Sequence, residues 1–106
     1  MVEIVWEFEV KPEHVSTFEK HYGPQGTWAG LFRRSPEYGG TVLLRDTARS
    51  GRYVTIDRWP DSPTFDKFKE KFAEEYRQID EQMEQLTVSE RLVGVFEVVE
   101  SANMYP

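Results

Sequence analysis

The chain contains no cysteine among its 106 residues. That excludes disulfides, thiolate nucleophiles, cysteine-held zinc and iron–sulfur clusters. Its only imidazoles are His14 and His21. They stand two helical turns apart with no third ligand nearby, so no metal site is expected. Basic runs are also missing. Lys and Arg total 13 against 19 Asp and Glu, a net charge of -6. Nucleic acids and anionic membranes both call for a basic stripe, and neither is an expected partner. The longest apolar run is far too short to span a bilayer. Met1 to Val10 alternates acidic and apolar residues. It lacks the basic start and continuous apolar core of a signal peptide, and the expected compartment is the cytoplasm. Gly23, Gly26, Gly39 and Gly40 form no nucleotide-binding motif.

Large rings are plentiful. Aromatic residues make up 14% of the chain and hydrophobic residues 39%, ample for one core. The length suits one domain. We expect it over 1–100, with 101–106 as a C-terminal tail.

Val2, Ile4, Trp6, Phe8 and Val10 alternate with Glu3, Val5, Glu7 and Glu9. Period two predicts a strand with one strongly apolar face. Pro12 and Glu13 suit the first turn of a following helix, with Val15, Phe18 and Tyr22 at helical spacing. The run Gly23-Pro24-Gln25-Gly26 breaks that helix. A second short helix restarts at Thr27, carrying Trp28, Leu31 and Phe32, and Ser35-Pro36 ends it. Strands are expected over Thr41–Thr47 and Arg52–Trp59, joined by a hairpin at Ala48–Gly51. Ser62 reads as an N-cap, with Pro63 as the first helical residue. Phe65, Phe68, Phe72, Tyr76, Ile79, Met83 and Leu86 then recur at intervals of 3, 4, 4, 3, 4 and 3. That stripe predicts one long amphipathic helix. Thr87–Glu90 reads as a turn and Arg91–Val99 as the last strand.

The order is β, broken α, β, β, α, β. Right-handed crossovers fold it as an α+β, ferredoxin-like split β-α-β sheet, antiparallel, with the helices on one face. The other face should be polar if it met only water. The last strand instead reads as apolar on both sides, Leu92, Phe96 and Val98 on one and Val93, Val95 and Val99 on the other. Val5, Leu43 and Tyr53 extend the second face, mixed with Glu7, Arg45, Thr55 and Asp57. A face of that kind suits a packed interface. We therefore expect a homodimer of stacked sheets, a dimeric α/β barrel.

The segments Tyr22-Gly23-Pro24-Gln25-Gly26-Thr27-Trp28, Leu31-Phe32-Arg33, Gly40-Thr41, Leu43-Leu44-Arg45-Asp46 and Tyr53-Val54-Thr55-Ile56-Asp57-Arg58-Trp59 resemble the antibiotic biosynthesis monooxygenase-like domains of the dimeric α/β-barrel superfamily. The resemblance runs from Val2 to about Val99. It implies a cofactor-free oxygenase acting on a small aromatic or quinone-type compound. In such a reaction the substrate is deprotonated to an electron-rich anion that meets dioxygen without metal or flavin. It also implies an apolar slot between the helices and the sheet. Haem-degrading relatives carry an iron-ligating histidine on the long helix, and this chain has none between Pro63 and Leu86.

The expected pocket residues are Trp6, Trp28, Phe32, Trp59, Phe65, Phe68 and Phe72, with Phe8 and Tyr76 beside them. Alternatively these rings fill the core completely. Tyr22 flanks the helix break, where a cavity mouth forms readily. His21 is the expected base, and Tyr22 its partner in catalysis. Neighbours on a helix point about 100° apart, which sets a solvent-facing His21 against that role. His14 lies off the apolar stripe and reads as surface. Arg45 and Asp57 read either as an anion-stabilising donor and a base or as members of an ion-pair network in the dimer interface. Arg33 and Arg34 read as a solvated pair, or as contacts for an anionic ligand at the pocket mouth. Other readings stay open. One is a non-catalytic ligand-binding or accessory dimer. Another is an isomerase or decarboxylase using the same pocket.

Overall fold

The computed structural model describes residues 1–102, and the end of the expected tail, 103–106, lies outside the described residues. The strands are β1 (Val2–Val10), β2 (Thr41–Arg45), β3 (Arg52–Trp59) and β4 (Thr87–Glu97). The helices are α1 (Val15–Tyr22), α2 (Thr27–Phe32), α3 (Ser62–Lys71) and α4 (Ala73–Met83), with short 3-10 turns at Pro12–His14 and Glu84–Leu86. The sheet order is β2-β3-β1-β4, and every neighbouring pair is antiparallel. Each β-α-β crossover skips one strand, so the two units interleave. This is the α+β, ferredoxin-like arrangement expected from the sequence.

Local chemistry sets most boundaries. The break between α1 and α2 is tight. A Cβ on Gly26 would stand 2.5 Å from the carbonyl oxygens of both Lys20 and His21, so only glycine lets the chain pass there. The Arg33 guanidinium closes the corner by donating to the Pro24 carbonyl. The cap of α3 is Asp61 rather than Ser62: its Oδ1 accepts from the Thr64 N–H at 2.8 Å. Ser62 and Pro63 are therefore the first two helical residues.

Three further expectations need correction. The long helix is interrupted at Phe72, whose backbone sits at φ -111 and ψ 32. Hydrogen bonds of helical spacing, Phe72 N–H to Phe68 O and Tyr76 N–H to Phe72 O, continue through the kink. The apolar stripe therefore stays on one side. The second strand stops at Arg45, because the Asp46 carboxylate accepts from the Ala48 and Arg49 N–H groups and starts the turn. The last strand begins at Thr87, with no separate turn at 87–90.

Strand parity decides which side chains face the helices. Ile4, Trp6 and Phe8 pair with Asp57, Thr55 and Tyr53, which pair in turn with Thr41, Leu43 and Arg45. All nine therefore lie on the helix side. Leu43, Arg45, Tyr53, Thr55 and Asp57 were expected on the outer face. In β4 the register shifts between Val5 and Trp6, where Gly94 and Leu92 are their partners and Val93 is extra. This bulge puts Leu92 and Val95 on the helix side and Phe96 on the outer side, a different division from strict alternation.

The core has two parts. One gathers Phe8, Val10, Phe18, Tyr22, Tyr53, Met83 and Leu86. The other gathers Ile4, Leu31, Phe32, Trp59, Phe65 and Phe68. Trp6, Trp28 and Ile79 are partly buried and pack against both. The seam between the two clusters is where the candidate site opens.

Candidate active site

A cavity of about 190 Å³ lies at that seam, on the helix side of the sheet. The sheet contributes Trp6, Phe8, Thr41, Thr55, Asp57 and Glu90. The helices contribute Tyr22, Trp28, Phe32, Tyr76 and Asp80. Rings crowd its walls: Trp28 meets Tyr76 edge-on at 4.9 Å between centroids and lies 6.3 Å from Tyr22. The helix break makes room for this. It turns α2 away from α1 and presents Trp28 beside Tyr22 across the corner.

Asp57 is the most distinctive group. It is 9% exposed. Its Oδ1 accepts one hydrogen bond, from the Thr41 hydroxyl at 2.5 Å. The Thr41 hydroxyl also meets the Tyr38 hydroxyl. A hydroxyl has one proton, so with Thr41 donating to Asp57, Tyr38 donates to Thr41. Among the described residues no donor reaches Asp57 Oδ2, and no cation pairs with the carboxylate. Burial pushes this carboxyl from its ordinary value of 3.8 up to about 6, opposed in part by the Thr41 hydrogen bond.

The other titratable groups in the lining point the same way. Burial pushes the Tyr76 phenol up to about 12, with the nearby carboxylates of Asp80, Asp57 and Glu90 adding to it. Burial also raises the Tyr22 phenol well above 10. Both tyrosines therefore stay protonated and remain O–H donors at neutral pH. The Glu90 carboxyl is raised by burial and by the charges of Asp80 and Glu84. Asp80 and Glu90 are exposed residues and form the mouth, whereas Asp57 lies inside.

The expected site residues divide. Trp6, Trp28, Phe32 and Tyr22 come together around the cavity, with Phe8 and Tyr76. Trp59, Phe65 and Phe68 do not line it; they fill the second core cluster, where Trp59 is 0% exposed. Phe72 packs against that same cluster. His21 is outside the lining. Its Nδ1 lies 2.7 Å from the Thr27 hydroxyl, a bond that ties α1 to α2 across the break. Arg33 and Arg34 also stay outside, on the Pro24 carbonyl and on Glu75. Arg45 pairs with Glu19 of α1 at 2.6 Å, within the subunit.

Thr41, Asp80 and Glu90 were not singled out in the sequence, and Asp57 and Thr55 were placed on the wrong face. A signal for those two was present. Period two counted back from Trp59, plainly a core residue, puts Asp57, Thr55 and Tyr53 on its side. Asp80 stands one helical turn from Tyr76, the spacing at which two side chains share a face.

No protein-family model matches the chain, and no curated protein matches it. Solved structures do. A mutant form of SnoaB, a cofactor-independent oxygenase from Streptomyces nogalater, is 22% identical over 96% of each chain, with a TM-score of 0.73. A Deinococcus radiodurans protein named for the antibiotic biosynthesis monooxygenases is 14% identical over the full length of both chains, with a TM-score of 0.74. A mutant of MhuD, with two manganese protoporphyrin IX molecules bound per active site, is 21% identical over 96% of this chain and 98% of its own, with a TM-score of 0.72. At such identities the likeness establishes the fold.

The cavity does not fit a porphyrin. No histidine lines it, and its volume is below what even a drug-sized ligand occupies. Tyr22 and Tyr76 are the lining groups able to ligate a haem iron as tyrosinates, and burial holds both protonated. Among the described residues no cluster of three or more His, Asp or Glu is arranged to hold a metal ion. No helix among them is long and apolar enough to cross a membrane.

Proposed function

We propose that the chain is a cofactor-independent oxygenase acting on a small phenol or hydroquinone in the cavity. The observation that carries this reading is Asp57, a buried carboxylate with one hydrogen bond and no cation, on the wall of an aromatic slot. A carboxylate titrating near 6 is matched to proton abstraction near neutral pH. The neutral Tyr22 and Tyr76 phenols are donors for the oxyanion that forms. SnoaB shows that this fold supports oxygenation without a cofactor.

The reaction balances without an outside reductant. Asp57 takes the hydroxyl proton of the substrate. The phenolate passes an electron to dioxygen, the two radicals join at a ring carbon, and the peroxide takes the proton back from Asp57 to become a hydroperoxide. Cleavage of its O–O bond releases hydroxide, which leaves as water together with the ring C–H proton, and a quinone remains. One oxygen atom stays in the product and the other leaves in water. The rings of Trp6, Trp28, Phe32 and Tyr76 in the walls favour a flat aromatic ligand.

Two copies stacked through the outer sheet face form the working unit in this reading. That face carries Val5, Val42, Leu44, Val54, Ile56 and Phe96. Its charges are already paired within the subunit: Glu3 with Arg58, and Glu7 with both Arg52 and Arg91. On β4 the single chain leaves Phe96 of that face exposed, with Val88 and Val93 exposed at the two register shifts. Stacking would cover apolar surface without stranding a charge.

Oxygen uptake is the direct test. Chelator-treated protein is incubated with a panel of phenols and hydroquinones in an oxygen electrode cell, with 18O2 used to trace the product. Enzyme-dependent uptake, one labelled atom per quinone, and loss of both in Asp57→Asn are expected. Binding without any uptake across the panel would refute the oxygenase reading and leave a ligand-binding protein.

A further inference from the structure

The charge of the cavity restricts what enters it. The carboxylates of Asp57, Asp80 and Glu90 all face this small space, and no Lys, Arg or His lines it. The three arginines that the sequence offered as anion contacts are engaged elsewhere: Arg33 on the Pro24 carbonyl, Arg34 on Glu75, and Arg45 on Glu19. The interior member of the set, Asp57, is nearly fully buried and keeps one oxygen without a donor among the described residues. The walls add the rings of Trp6, Trp28 and Tyr76, whose faces favour positive charge over negative. Size restricts entry as well. A cavity of about 150 Å³ holds a benzene, so one of about 190 Å³ takes a single ring with a short side chain, or two fused rings.

We infer that the site selects its ligand by charge: a phenol whose short side chain ends in a basic nitrogen is preferred, the neutral ring is accepted, and the same ring ending in a carboxylate is turned away. The inference rests on the cavity being the substrate site proposed above. It assigns Asp80 and Glu90 a specificity role at the mouth, distinct from proton abstraction by Asp57. An acid approaching the mouth meets two carboxylates before it reaches any donor. An amine of the same size meets two acceptors, and its ring lies among rings.

Three nearly isosteric phenols test this: tyramine, 4-ethylphenol and 4-hydroxyphenylacetate. Binding is measured by calorimetry with the whole protein under nitrogen, so that no oxygen chemistry contributes. Tyramine is expected to bind most tightly, 4-ethylphenol less so, and 4-hydroxyphenylacetate at least about tenfold more weakly than tyramine at low salt. The double variant Asp80→Asn, Glu90→Gln changes two exposed residues and is expected to narrow the tyramine to 4-hydroxyphenylacetate ratio severalfold, with Asp57 and the rings keeping a residual preference for the amine. In the unaltered protein, raising the salt to about 0.5 M is expected to narrow the same ratio. Equal binding of the amine and the acid would overturn the inference. So would a ratio unchanged in the double variant, or a failure of all three phenols to bind. Binding in the expected order without oxygen uptake would leave the inference standing and remove only the oxygenase reading.

Discussion

Replacing Asp57 with asparagine should stabilise the protein at neutral pH while abolishing the oxygen uptake proposed for it. Folding lifts this carboxyl from 3.8 to about 6. At about 1.4 kcal/mol per unit, holding it ionised in the fold costs about 3 kcal/mol at pH 7. The residue is buried, so solvent screening removes little of that figure. Asparagine keeps the shape and still accepts from Thr41, but its new N–H2 group has no acceptor, which offsets part of the gain. The expected net gain is about 1–3 kcal/mol, or a rise in Tm of roughly 5–15 °C for a domain of this size. The pH dependence identifies the cause. Because the folded value is raised, the folded protein binds the proton more tightly than the unfolded chain. The carboxyl's contribution is then fully present below about 3.8, shrinks as the pH climbs through about 6, and is level above that. The advantage of Asp57→Asn should therefore be large at pH 7 and close to zero at pH 4. Urea denaturation at both pH values and one fixed protein concentration measures it. A variant less stable than the parent by the same amount at both pH values would refute the reasoning, since it would mean that the carboxylate is not strained by burial.

Three other perturbations probe the rest of the molecule. Thr41→Val removes the one hydrogen bond that lowers the Asp57 carboxyl. The rising limb of the pH–rate profile, expected near 6 in the parent, should then shift to higher pH, with a stability loss of about 1–2 kcal/mol. An unshifted limb would mean that Asp57 is not the base. Gly26→Ala forces a Cβ to within 2.5 Å of two carbonyl oxygens at the α1–α2 corner, and denaturation should report a loss of about 1–3 kcal/mol or more. Phe96→Glu places a charge on the outer sheet face, where the ring is 50% exposed. Sedimentation should show the proposed dimer of the parent dissociating to single chains, and an unchanged dimer mass would exclude that face as the interface.

The elements themselves were legible because each rests on local chemistry. Alternation over Val2–Val10, the Gly23–Gly26 break and the stripe from Phe65 to Leu86 are properties of neighbouring residues, and the structure contains all three. The kink at Phe72 was not legible, since neither proline nor glycine marks it. The bulge at Val93 was hidden as well. It is defined only by the pairing of β4 with β1, and a single chain of alternating valines carries no record of its partner's register.

The site divides along the same line. Composition and spacing alone determined that rings would crowd the space between helices and sheet and that the helix break would place Tyr22 near Trp28. Only the tertiary structure decided which rings leave a hole and which close over one another. Trp59, Phe65 and Phe68 meet one another and Phe32 at centroid distances of 5.1 to 6.5 Å and exclude a ligand. Trp6, Trp28 and Tyr76 leave a cavity between them. The structure also decided where the candidate bases lie. His21 turns to Thr27, and Asp57 is carried inward by the pairing of β3 with β1. Periodicity places a side chain on a face, but the volume left beside it, and the charge it must bear there, depend on what the other elements bring to the same place.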